Sequence, residues 1–145
     1  MNTKTLIRIG LVIMGIYTIG DAFVHLFNIR TKDVVGVWPS NALAFSQFLS
    51  QIYGSFVLLA ALMLLELSRK VEAYKNFVYV VGIWSFFHGV LLATSLITGF
   101  FKSFNVPSLY AYIPLPYYIG IEILESVFLV LFAFLVLFWR LKNRH

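Results

Sequence analysis

A chain of 145 residues that is 61% apolar and only 12% charged has too few charges for a water-facing surface, since soluble domains carry about 25% charged residues. Its mean hydropathy of +0.89 makes a bilayer its natural solvent, and its length supplies one domain. The lack of cysteine excludes disulfides and thiolate metal sites. The net charge of +5 gathers at the ends of apolar runs, so it is read as a topology signal, and nucleic acid is not an expected partner.

Four apolar runs reach the roughly 20 residues needed to cross about 30 Å of hydrocarbon. The sequence therefore predicts an all-α, integral membrane four-helix bundle, one transmembrane domain over 1–145, with spans near 5–29, 41–67, 74–100 and 117–141. The first run starts with Lys4 and Arg8, but its length, Asp21 and the lack of a small-x-small cleavage site mark a retained span, not a signal peptide. Spacings of three or four residues place Tyr17, Asp21, His25 and Asn28 in one stripe along it. Gly10, Gly15 and Gly20 lack the GxxxG spacing and are read as positions of close packing.

The second run carries Gln47, Gln51 and Ser55 on one face, read by default as interhelical hydrogen-bonding groups. The connector "SRKVEA" that follows is short and predicts that the second and third helices are antiparallel neighbours. Glu66 and Glu72 flank this basic connector as expected salt-bridge partners. In the third run Ser85, His88 and Ser95 share a face, with His88 beside Trp84. The connector "FKSFNVPSLYAYIPLP" is rich in prolines and aromatics. It reads first as an interfacial loop and second as a lid over the outer opening. The fourth run places Tyr118, Glu122, Glu125 and Ser126 on one face, whereas 127–138 has no polar side chain.

Lysine and arginine set the direction. Eight of them (Lys4, Arg8, Arg69, Lys70, Lys75, Arg140, Lys142 and Arg144) fall on the side of the termini and the second connector, against three (Arg30, Lys32 and Lys102) on the other. Both termini are thus expected in the cytoplasm, with the cell (plasma) membrane as the location. Trp38, Tyr110, Tyr112, Tyr117 and Tyr118 outside and Trp139 inside suit interfacial belts.

With this topology Asp21, Gln51, Glu122 and Glu125 fall roughly 7–14 Å below the outer boundary, and His88 lies nearer the middle. An acid at mid-span costs about 2.5–3.5 kcal/mol on insertion scales, so polar groups sharing one depth call for a purpose. The expectation drawn from them is a cluster of Asp21, His25, His88, Glu122 and Glu125 in the outer half, holding a divalent transition metal (Zn, Fe, Mn or Cu), with Tyr17 and Gln51 orienting the ligands. A haem between His25 and His88 fits less well, because the two histidines are offset in depth. Catalytic residues are not assigned, and whether the chain is an enzyme stays open. Two alternatives remain. The acids line a pocket for a lipid or quinone or relay protons, or the chain is an accessory subunit among membrane-protein partners.

Across almost its full length, the basic start, "LIRIGLVIMGIYTIG", the four spans and the short cytoplasmic connector resemble the DoxX-like and BphX-like group of small four-helix membrane proteins. That resemblance implies a redox or accessory role, as in the quinone-associated oxidoreductase systems and aromatic degradation to which the group is linked, and it carries over no functional residue. The metal reading is expected to serve a redox or monooxygenase system. Asp21-x-x-x-His25 also resembles one helical turn of the metal site in membrane copper monooxygenases.

Overall fold

Leucine, isoleucine, valine, phenylalanine and alanine dominate every apolar run, and in the computed structural model, which describes residues 2–29, 40–97 and 115–142, each run is one helix. The helices are α1 (Thr3–Leu26), α2 (Ser40–Arg69), α3 (Lys75–Ile97) and α4 (Leu115–Lys142). All four are long and apolar enough to cross a membrane. Helix α1 starts where the Asn2 side chain accepts a hydrogen bond from the Thr5 N–H (3.1 Å), satisfying one of the unpaired donors of the first turn. It stops at Asn28, whose φ of 53° is left-handed, a conformation that asparagine tolerates at a helix end. Asn28 therefore ends the polar stripe of α1 as a terminator.

Contacts fix the register. Ser85 Oγ approaches Met14 Sδ at 3.9 Å, which puts these residues of α1 and α3 at matched depth. Helix α4 is antiparallel to both: Gly10 abuts Phe132 while Tyr17 meets Glu125, and Gly82 abuts Val136 while Gly89 meets Val130. Helix α2 is antiparallel to α1, with Gly15 against Leu65 and Gly54 against His25 and Leu26. At Gly54 an added Cβ would stand 2.9 Å from the Leu26 backbone nitrogen, so the α1–α2 crossing requires a residue without a side chain there.

The tightly packed pairs are α1 with α2 and α3 with α4, and the pairs meet where α1 touches α4. Helices α2 and α3, expected as antiparallel neighbours, run antiparallel but are not one of the closely packed pairs. Their connector is short, but Val71 within it is fully buried in the core, and between α2 and α3 a cavity opens. The core occupies the half of the bundle nearest the termini, where Ile7, Leu11, Leu67, Val71, Val78, Phe132, Val136 and Trp139 interlock. Two charge contacts border it: Lys4 Nζ reaches Glu72 Oε1 (3.1 Å), and Lys70 Nζ reaches Glu66 Oε1 (2.8 Å). Hydrogen bonding and attraction from Glu66 hold the Lys70 ammonium above the usual lysine pKa.

The outward faces are apolar. Phe56 is 66% exposed, Leu59 55% and Leu131 63%, a surface that suits hydrocarbon rather than water.

Candidate functional site

A cavity of about 660 Å³ lies between the two helix pairs and runs from the core toward the opposite end of the bundle. This volume falls in the range of about 300–1,000 Å³ typical of small-molecule sites. All four helices contribute, and the register sorts their side chains by depth. Toward the core the walls are Met14, Leu64, Leu67, Phe77, Val81, Phe128 and Leu129; toward the other end they include Tyr17, Asp21, Tyr53, His88 and Glu125. The cavity is amphipathic along its length.

Its polar wall is centred on Glu125. The Tyr17 hydroxyl donates to Glu125 Oε2 at 2.7 Å, tying α1 to α4 at the usual length of an O–H···O bond. The other oxygen, Oε1, lies 3.9 Å from His88 Nε2. That is too long for a hydrogen bond. Stacking on Trp84, with ring centroids 4.9 Å apart and planes 10° from parallel, holds the His88 ring. Trp84, His88 and Glu125 thus present an aromatic plate, an imidazole edge and a carboxylate to the same space.

Asp21 and His25 form a separate arrangement one to two turns further along α1. Asp21 Oδ1 lies 3.7 Å from His25 Nε2. The His25 ring turns to α2, where Nδ1 is 3.0 Å from Ser50 Oγ and the Ser50 hydroxyl donates to the His25 carbonyl at 3.2 Å. The edge of the ring meets Tyr53 at 4.7 Å.

The expected five-residue metal cluster does not form. Among the described residues no three histidine, aspartate or glutamate side chains gather as a group that could hold a metal ion. Asp21 lies against His25 beside α2, Glu125 of α4 meets Tyr17 of α1 and His88 of α3, and Glu122 is buried a turn away at 8% exposure. The reason is helical geometry. Successive four-residue steps turn about 400°, so a stripe drifts by about 40° per step, and Tyr17 and His25 point about 80° apart. They meet different helices. Gln51, expected to orient ligands, is exposed on α2 and takes no part in these contacts.

Other polar residues satisfy their own helices or a neighbour. Ser55 donates to the Ile52 carbonyl (2.7 Å) and Ser85 to that of Val81 (2.8 Å), whereas Ser126 crosses to the Gly89 carbonyl (2.8 Å). The aromatic connector read as a loop or lid lies outside the described residues for 101–114, as does Trp38. Sequence reasoning did not find the apolar wall of Val57, Ala60 and Leu64, for which one apolar residue among many in α2 gives no distinguishing signal. Comparison with protein-family models, curated proteins and solved structures finds no match to this chain.

Proposed function

We propose that the chain is an integral protein of the cell membrane, with both termini cytoplasmic, whose cavity binds an amphipathic organic molecule of the lipid or quinone class. The bias of eight basic residues against three supports the orientation. The single observation that carries the ligand reading is the cavity of about 660 Å³, apolar toward the core and polar toward the Tyr17–Glu125 pair. An apolar tail gains by lying among Met14, Leu64, Phe128 and Leu129, and a polar head finds Glu125, His88 and Trp84 at one level. Tyr17 positions the carboxylate by occupying one of its oxygens, which leaves Oε1 facing the imidazole. A flat head also has the Trp84–His88 stack to lie against.

Trp84 lines the cavity and reports on occupancy. Titration of the reconstituted protein with a benzoquinone carrying a decyl chain is expected to quench its emission saturably. The saturable part should vanish in Trp84→Phe, which removes the reporter, and in Ala60→Phe, which fills the cavity. Quenching that rises without saturation and equally in all three proteins reflects partition into the bilayer and would refute the reading for quinones. The lipid alternative is decided by the molecules that co-purify with the protein.

A further inference from the structure

A second cavity, of about 390 Å³, lies on the opposite, outward side of the α3–α4 pair. Its walls are Ile83, Phe86, Phe87, Phe134 and Leu137, and one end is closed by Tyr79 and Arg140. The six steps from Phe134 to Arg140 span roughly 9 Å of helix, so the apolar groove runs from a terminal cation toward mid-span. Phe86 packs edge-on against Phe134, centroids 6.2 Å apart at 82°, which fixes the groove's far wall. The Arg140 guanidinium carbon sits 4.7 Å from the centre of the Tyr79 ring. This contact holds the charge in place without consuming its hydrogen-bond donors. Lys75 begins α3 one turn before Tyr79 on the same face, and Lys142 follows two residues after Arg140.

We infer that this groove is a binding site for an anionic phospholipid of the cytoplasmic leaflet, with an acyl chain along Ile83, Phe87 and Phe134 and the phosphate on Arg140. The inference shares the membrane placement of the functional reading and does not depend on the central cavity. Charge complementarity selects the occupant. An apolar groove alone accepts any chain, but one ending at a guanidinium, with Lys75 at the same end, favours a head group bearing net negative charge. Basic recesses between helices at the cytoplasmic face are suited to such head groups.

The test uses the full chain in nanodiscs of equal phosphatidylglycerol and phosphatidylcholine, with retained lipids counted by native mass spectrometry. Wild type is expected to retain phosphatidylglycerol over phosphatidylcholine by about fivefold, the order of one basic side chain at a lipid surface. Arg140→Gln should bring the ratio close to one, and Ile83→Trp, which fills the groove and keeps the charge, should do the same. Arg140→Lys should retain most of the preference, and Lys142→Gln should leave it intact. Equal retention of the two lipids by wild type would overturn the inference. So would equal losses in Arg140→Gln and Lys142→Gln, which would make the preference diffuse electrostatics, or a full preference in Ile83→Trp. Unchanged helicity by circular dichroism qualifies each variant for the comparison.

Discussion

Tyr17 and Glu125 are 108 residues apart in the chain and joined by a 2.7 Å hydrogen bond from the phenol to Oε2. The bond connects the first helix to the last at the level where the central cavity turns from apolar to polar. It also fixes the orientation of one of the two acids, Asp21 and Glu125, that line that cavity.

Removing the phenol therefore tests a structural and a binding role together. Tyr17→Phe should destabilise the protein by about 0.5–2 kcal/mol, the range of interhelical hydrogen bonds within membranes, read as a lower unfolding midpoint in mild detergent. A double-mutant cycle with Glu125→Gln should show that the two substitutions are not additive. Strict additivity would mean that the contact carries no energy.

Glycine positions separate close packing from open surface. Gly54→Ala places its methyl 2.9 Å from the Leu26 backbone nitrogen, which cannot turn aside as a flexible side chain can. It should cost about 1–3 kcal/mol. Gly20→Ala and Gly120→Ala meet nothing within 4 Å and should be neutral or stabilising by up to about 1 kcal/mol through helix propensity. Thermal unfolding of the three variants checks the contrast.

The Lys70–Glu66 contact gives a signed pH effect. The folded-state pKa of Lys70 is raised by its hydrogen bond to Glu66. Its contribution is present in full below the unfolded lysine pKa and disappears as pH rises through the raised value. Above neutral pH, wild type should thus lose stability relative to Glu66→Gln in that alkaline window. Unfolding midpoints measured from neutral pH upward check this. Because both groups are at the surface, the difference should be small and should shrink in salt.

Orientation is open to direct labelling because the chain has no cysteine. Thr3→Cys and Lys142→Cys should react with a membrane-impermeant maleimide only after the membrane is opened, and Thr31→Cys should react in intact cells. The reverse pattern would place the termini outside.

The four helices were legible in the sequence because length and apolarity are properties of each run alone. Depth was legible only in part: counting residues along the helices grouped Asp21 with Glu125 and set His88 deeper, whereas the structure brings His88 and Tyr17 to Glu125. What the sequence did not reveal was direction around each helix axis. Spacing placed Tyr17, Asp21 and His25 in one stripe, yet their drift sends Tyr17 to Glu125 and His25 to Ser50, and the expected metal cluster divides into two unlike pairs. The cavity was hidden for a related reason. It exists because α2 and α3 stand apart while Val71 tucks under the bundle, and a short connector had implied contact.

The account stands most directly on whether the central cavity is a ligand site. The decisive measurement is the identity and stoichiometry of organic molecules released from gently purified protein, determined by mass spectrometry for wild type and Ala60→Phe. The account predicts close to one amphipathic molecule of a single class per chain in wild type and little or none in the filled variant, with both proteins equally helical. Equal amounts in the two proteins, or only a mixture matching the bulk lipid of the membrane, would contradict it.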